Sequence, residues 1–491
     1  MVNKANLDFS PPLHYNLNMK ITQELRASIV VFLVALPLCL GIALASQAPL
    51  AAGVIAGVIG GILVGLMSGS EISVSGPAAG LTVIVAGAIA QLGSFETFCL
   101  AVTLAGLVQI LFGVLRAGEL GQFFPSPVIK GMLAAIGLIL IMKQAPMMMG
   151  WKEGAPHQGV AIIGLVSLAI LLGWEKFLQP RYAVARVIPG ALIAVLAGVI
   201  LQIALRGSAY ALDSSYLVAL PYDGSWTGFW STLHLPSWEG IASPIVWKTA
   251  VTLAIVASLE TLLSLDAADR MDPLKRVSNK NRELFAQGAG NLTAGLVGGL
   301  PVTAVIVRTS ANVSAGGTQR SSAIFHGFWL LLCAMFIPTV LNLIPLATLA
   351  TVLVLVGYKL CKPAVFQEMA KLGQLSLMIF VSTIIAILLT DLLIGIFIGM
   401  ALSLSFTFNK FRRNVLTVQR KPGETIILFA YHVTFLHKAA LQKILSVIPA
   451  DEVVIVQTNP RFDVHHDIHD LLNDYTSKAA HRNIQVRLVK A

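Results

Sequence analysis

The strongest constraint on this chain is a succession of apolar runs that starts near Ala27 and ends near Asn409. Backbone polar groups in hydrocarbon must be bonded internally, so runs of this kind cross a bilayer as helices. We read segments at 27–46, 49–68, 78–91, 97–115, 125–143, 159–178, 185–205, 247–265, 281–298, 309–317, 322–341, 343–358, 374–390 and 392–409. Charged residues are 12% of the chain, where a soluble domain carries about 25%. That excludes a string of soluble domains and predicts an all-α polytopic membrane protein. The four cysteines, Cys39, Cys99, Cys333 and Cys361, lie in or beside apolar runs without metal-like spacing, and read as packing residues.

The basic residues set the orientation. Lys20 and Arg26 precede the first segment. Lys176, Arg181 and Arg186 follow the sixth, and Arg270, Lys275, Arg276, Lys280 and Arg282 follow the eighth. Lys359, Lys362 and Lys371 follow the twelfth, and Lys410, Arg412 and Arg413 the fourteenth. With alternating segments all of these share one side, which the positive-inside rule makes cytoplasmic. Both termini are then expected in the cytoplasm, with residues 1–26 as a leader and 206–246, carrying Asp213, Asp223 and Glu239, outside. The net charge of +10 is a topology signal, so no nucleic-acid partner is expected.

Two segments, 78–91 and 309–317, are too short to cross alone, since a spanning helix needs about 20 residues. The first is preceded by Ser73-Val-Ser-Gly-Pro77 and the second by Gly299-Leu-Pro-Val-Thr-Ala-Val-Ile-Val307. Each stretch reads as extended chain that turns helical, near Ala78 and near Thr309, with Pro77 suited to a helix's first turn. A Gly/Pro kink in an ordinary span is the alternative for the first stretch taken alone. The two breaks, however, are third in the first seven segments and third in the second seven. Seven is odd, so the halves are inverted, and paired broken segments in inverted halves point to a transporter with a midplane site. Two half-helix N-termini would there face one cavity, which suits a small anion.

Ionisable residues deep in a membrane are costly and mark function. Glu260, in segment eight, is a candidate proton carrier, cation ligand or partner of a base, with a structural ion pair as the alternative. Ser264 shares its face at i+4. Arg308 lies at the second break, where it could bond an oxyanion, pair with Glu260, or anchor its helix. Thr309, Ser310 and Asn312 are expected to cap the half-helix or touch ligand. Lys130 and the Asp266, Asp269, Arg270 group read as interfacial, and Asp391 as a solvated turn.

Val74-Ser-Gly-Pro-Ala-Ala-Gly80, Ser258-Leu-Glu260, Gly298-Gly-Leu-Pro-Val-Thr303 and Arg308-Thr-Ser-Ala-Asn312 together resemble the SulP anion transporters, relatives of the animal sulfate, pendrin and prestin group. The resemblance spans about 27–410. It implies a core domain (segments one to four and eight to eleven), a gate domain (five to seven and twelve to fourteen), a homodimer and an elevator-like motion. It places the anion site at Ser75, Gly76, Ala78, Ala79 and Gly80 and at Val307, Arg308, Thr309 and Ser310. It maps the coupling residue onto Glu260, with Ser264 beside it. The coupling ion is H+ or Na+, a glutamate here leaning toward protons, and no cofactor or resident metal is expected. Many members carry Pro-Gln-Gly and a tyrosine in segment one, whereas Pro37-Leu-Cys-Leu-Gly41 has neither. The overall similarity favours bicarbonate, with sulfate close behind.

After Arg413 the pattern changes. Strands at 424–432, 452–457 and 484–489 alternate with helices at 436–445 and 467–480, which resembles a short STAS domain over 424–491, joined by a linker at 411–423. Val464 follows Asp463 where the anti-sigma-antagonist relatives carry a phosphorylatable residue. His465, His466 and His469 read as solvated residues rather than a metal site. A dimerisation role is expected for the tail, or a carbonic anhydrase or other cytoplasmic partner. The function expected is secondary active transport of a small inorganic anion across the cell's inner (plasma) membrane. An uncoupled anion channel or exchanger, a dicarboxylate transporter, and a sensor or scaffold are the alternatives. No nucleophile–base pair suggests an enzyme.

Overall fold

A computed structural model of the chain describes residues 13–119, 124–152, 155–182, 185, 188–221, 228, 230–408, 415–459 and 463–490. The leader up to residue 12, Arg186, Asp223, Lys410, Arg412 and Arg413 lie outside the described residues. The expected segments appear as α1 (Leu13–Ala45), α2 (Leu50–Met67), α3 (Ala79–Leu92), α4 (Phe95–Val114), α5 (Ser126–Met148), α6 (Gln158–Arg181) and α7 (Gly190–Ala204). The second half supplies α8 (Pro244–Met271), α9 (Lys280–Val297), α10 (Ile306–Ser314), α11 (Arg320–Phe336), α12 (Leu346–Leu360), α13 (Gln374–Leu389) and α14 (Leu392–Phe408). Helix α1 begins well before the first apolar run, so 13–26 is helix rather than free leader.

The packing repeats under a shift of seven segments. Helix α4 lies on α9 as α11 lies on α2, and α8 on α4 as α1 on α11. Helix α6 lies on α12 as α13 lies on α5, and α6 on α7 as α13 on α14. These pairings divide the membrane part into a core of α1–α4 with α8–α11 and a gate of α5–α7 with α12–α14. Small residues let backbones touch where lipid supplies no hydrophobic drive between helices. A Cβ at Gly106 would fall 2.2 Å from the Leu292 nitrogen across the α4–α9 seam, and one at Gly137 2.5 Å from the Gly357 oxygen across α5–α12. The outer faces of α6, α7, α13 and α14 expose Leu165, Leu172, Ile200, Leu389 and Phe397, a surface suited to lipid.

The seam between core and gate is asymmetric. Helix α1 rests on α12 and α7. Its repeat mate α8 makes no comparable contact with α5 or α14. One side of the pseudo-symmetric seam is therefore closed more fully than the other.

The tail is a four-stranded sheet in the order β3 (Leu416–Lys421), β4 (Glu424–Phe429), β5 (Val453–Thr458), β6 (Gln485–Lys490). Strands β4, β5 and β6 are parallel, and β3 is antiparallel to β4. Helices α15 (Lys438–Ser446) and α16 (His466–Ala479) cover a core that includes Ile427, Phe429, Leu441, Val454 and Leu472. The expected linker 411–423 is corrected here: 416–421 is an edge strand. Only Leu416 and Val418 in it are apolar, because an edge strand beside solvent buries little. The Ser126 hydroxyl, at the start of α5, donates to the buried Asp467 carboxylate and ties the tail to the gate. His465 Nδ1 and His466 Nε2 lie 3.4 and 3.5 Å from that carboxylate, so Asp467, and not His469, completes the cluster.

Candidate functional site

The two broken segments meet as a pair of three-residue strands, β1 (Ser75–Pro77) and β2 (Val302–Ala304), antiparallel with Ser75 opposite Ala304, Gly76 opposite Thr303 and Pro77 opposite Val302. Pro77 therefore belongs to a strand and not, as the sequence suggested, to the first turn of a helix. Ile306 and Val307, β-formers by composition, are already helical in α10. Three-residue strands cannot hold themselves together, and side chains from the surrounding helices complete the ladder. Pro77 has no N–H to offer Val302. Asn291 of α9 takes its place: Nδ2 donates to the Val302 oxygen at 2.9 Å, and Oδ1 accepts from the Val302 nitrogen at 2.5 Å. Gln287 Nε2 donates to Ser75 Oγ at 2.6 Å, so this hydroxyl faces α9. Thr309 Oγ1 accepts from the Val74 nitrogen at 3.1 Å, and Asn312 Nδ2 donates to the Ile72 oxygen at 2.9 Å.

These last bonds correct the expectation of side-chain caps. The N-cap residues are Val305 for α10 and Ala78 for α3, and neither supplies a side-chain cap. Thr309 and Asn312 instead pin the strand that leads into β1. The first backbone N–H groups of each half-helix consequently have no intrahelical acceptor, and they form the positive end of the helix. Ile306 and Val307 are exposed, and Ala79 and Ser310 are partly exposed. Ser75, Gly76, Ala78, Gly80 and Thr309 are buried, so what they can present to a ligand is chiefly backbone.

Arg308 is fully buried, and its guanidinium runs beneath β1. A Cβ built on Gly76 would meet Nη1 at 1.9 Å, so only glycine fits there. Nη2 donates to Cys39 Sγ at 3.2 Å and Nη1 to the Ser75 oxygen at 3.5 Å, while Nε has no partner. Cys39 stands in the segment-one stretch that lacks the Pro-Gln-Gly of many SulP members. One reading of Arg308 is thereby corrected: among the described residues it forms no ion pair with Glu260 or any other carboxylate. Its charge, always present in a protein, is left to act across the β1 backbone.

Glu260 is half-buried on α8 and lies against the other half-helix. A Cβ on Gly80 would fall 2.6 Å from Oε1, and the Gly80 backbone faces the carboxylate. Ser264 is buried one turn further along α8. The β1–β2 crossing thus brings together two half-helix starts, one acid and one deep cation.

A polar face of α9, not among the expected site residues, also reaches the crossing. Glu283, Gln287 and Asn291 recur at four-residue steps among the otherwise small and apolar buried residues of α9, and that spacing was the available signal. Glu283 is fully buried and accepts from the Ser68 hydroxyl at 2.5 Å, the Gly69 nitrogen at 2.8 Å and Gln287 Nε2 at 2.9 Å. Asn291 Nδ2 also donates to Gln109 Oε1 at 2.6 Å, and Gln109 Nε2 to Ser258 Oγ at 3.1 Å, two residues before Glu260.

A model of the sulfate permease family matches residues 21–383. The candidate sulfate transporter YvdB of Bacillus subtilis is 29% identical over 418 residues, which cover 80% of this chain and 74% of that protein. The bicarbonate transporter BicA of Picosynechococcus is 25% identical over 424 residues, 82% of this chain and 70% of that one. The overall structure of SLC26A9 has the same fold, with a TM-score of 0.69 at 17% identity over 97% of this chain and 86% of that chain.

Proposed function

This chain belongs to the sulfate permease family, and from that premise we propose that it is a secondary active transporter of a small inorganic oxyanion, bicarbonate or sulfate. The observation that carries the reading is the buried Arg308 guanidinium at the β1–β2 crossing, which pairs with no carboxylate among the described residues, while Glu260 faces only the Gly80 backbone of the α3 start. A buried guanidinium without a carboxylate partner is costly, and two uncapped half-helix starts add positive potential at the same place. A bound anion at Ala78–Gly80 and Val305–Val307 would balance all three. A donor set made of backbone N–H groups suits a compact oxyanion.

Glu260 is the coupling residue in this reading, loading a proton or, with Ser264, a sodium ion. Its position against Gly80 puts the coupling charge beside the α3 half-helix, so anion and cation occupancy would each favour the other. The unequal closure of the core–gate seam fits a core that slides against the gate as a rigid body. The orientation follows the basic loops, with both termini cytoplasmic in the cell's inner (plasma) membrane. The assembly is a homodimer, and the tail a docking unit for a carbonic anhydrase or other cytoplasmic partner.

The test is uptake of labelled bicarbonate, sulfate and a dicarboxylate into proteoliposomes, with sodium and proton gradients imposed separately. Saturable, gradient-driven uptake of an oxyanion is expected, and Glu260→Gln should lose the gradient dependence while still binding anion. Gradient-driven uptake that survives in Glu260→Gln would remove the coupling role. Currents far above transporter turnover, without coupling, would favour a channel on the same scaffold.

A further inference from the structure

A cavity of about 480 Å³ lies between the tail and the α8–α9 connection, away from the β1–β2 crossing. Six lysines and arginines face three aspartates across it. The acids are already engaged. Asp266 pairs with Lys280 at 2.7 Å and Asp474 with Lys478 at 2.9 Å, while Asp269 accepts from the Ser278 hydroxyl and backbone nitrogen. Arg270, Lys275, Lys438 and Arg482 form no ion pair among the described residues, although Lys438 acts on the Asp467 carboxylate at longer range, Lys275 Nζ donates to the Arg270 oxygen at 3.3 Å and Arg482 Nη2 to the Ile448 oxygen at 2.7 Å.

The positive-inside rule accounts for Arg270 and Lys275, which flank a span. It does not account for Lys438 and Arg482, which the tail brings to the same cavity. Two further features point to a ligand. The Tyr475 hydroxyl is buried without a hydrogen-bond partner at the cavity wall, and such groups in native structures are nearly always satisfied. Leu274 and Val277 stand exposed beside the cations, at 62% and 66%, and offer an apolar wall.

We propose that this seam binds a phosphate group carried on a molecule with an apolar portion, the phosphate held by Arg270, Lys275 and Lys438 and the phenol of Tyr475. Arginine and lysine at close quarters are the usual hosts of phosphate. The source is either the headgroup of an anionic phospholipid or a soluble phosphate monoester. Occupancy would tie the end of α8, the helix that carries Glu260, to the tail. Binding itself does not depend on the transport reading.

The test uses the full chain with two probes. Phenyl phosphate is titrated against the detergent-solubilised protein, with thermal unfolding as the readout. Phosphatidylglycerol is compared with phosphatidylcholine in nanodiscs, with retained lipid read by native mass spectrometry. At least one probe should bind, and the Arg270→Gln/Lys438→Gln double variant should weaken it at least about tenfold. Tyr475→Phe, which keeps the ring, should weaken it less and serves if the double variant does not fold. Binding of phenyl phosphate alone assigns a soluble ligand, and retention of phosphatidylglycerol alone assigns a lipid. Binding of neither, binding unchanged in the variants, or displacement of the probe by saturating bicarbonate or sulfate overturns the proposal.

Discussion

Asn291→Leu keeps the branched heavy-atom shape of the side chain, with somewhat greater bulk, and removes a role in the structure that is wholly polar. Asn291 is 1% exposed, so water cannot replace it without opening the core. Its loss strands three groups: the Val302 N–H, the Val302 carbonyl and Gln109 Oε1. A buried polar group left unsatisfied costs about 1–3 kcal/mol, so the three together cost roughly 3–9 kcal/mol. Total stabilities of about 5–15 kcal/mol make that a severe loss. The damage should centre on the β1–β2 ladder, because Pro77 opposite Val302 has no N–H with which to repair it. We expect a drop of several degrees in the unfolding temperature of the purified protein and loss of anion uptake in proteoliposomes. Asn291→Asp, which keeps an acceptor for the Val302 N–H, should be milder if the acid is protonated. An Asn291→Leu variant with unchanged unfolding temperature and unchanged uptake would refute the assignment of Asn291 as the closure of this ladder.

Arg308→Met keeps most of the side-chain bulk and removes the charge. At an effective dielectric of about 20 and a separation of about 6–8 Å, one charge contributes roughly 2–3 kcal/mol to a bound anion. Affinity measured by binding calorimetry should fall about 30–100-fold, and an unchanged affinity would exclude action across β1. Gly76→Ala places a methyl 1.9 Å from Arg308 Nη1, so it should displace the guanidinium and lower both unfolding temperature and anion affinity; normal values for both would contradict the close approach. For the tail, burial holds His437 and His466 below the ordinary histidine range. As pH falls through about 6.5 the unfolded tail therefore takes up protons first, and stability drops with acid. Burial pushes Asp467 up, but His465, His466, Lys438 and the Ser126 hydroxyl outweigh it and hold it low, which extends the loss to still lower pH. Hydrogen exchange of β5 amides in the full chain, corrected for intrinsic rates, should show protection falling from pH 7.5 to 5.5; flat or rising protection would reverse the sign.

The sequence by itself determined the membrane class, the segments and the paired breaks. Each of these depends on neighbours along the chain: apolar runs long enough to cross, and Gly-Pro at 76–77 or Pro301 where a helix cannot continue. Glu260 was legible for the same reason, as a carboxylate in an apolar run. Which side chains meet at the breaks was a matter of three dimensions. The four-residue step of Glu283, Gln287 and Asn291 could be seen in the sequence, but not that this face completes a strand ending in Pro77. Arg308 was visible as a deep charge, yet whether it points at a ligand, at Glu260 or beneath Gly76 depends on helices that lie far away in the chain. Strand β3 escaped because an edge strand buries too little to leave a pattern. Local hydropathy and backbone chemistry write the elements and their breaks into the sequence. The direction of a buried charge, and the partner that satisfies a buried amide, are decided only when distant segments pack.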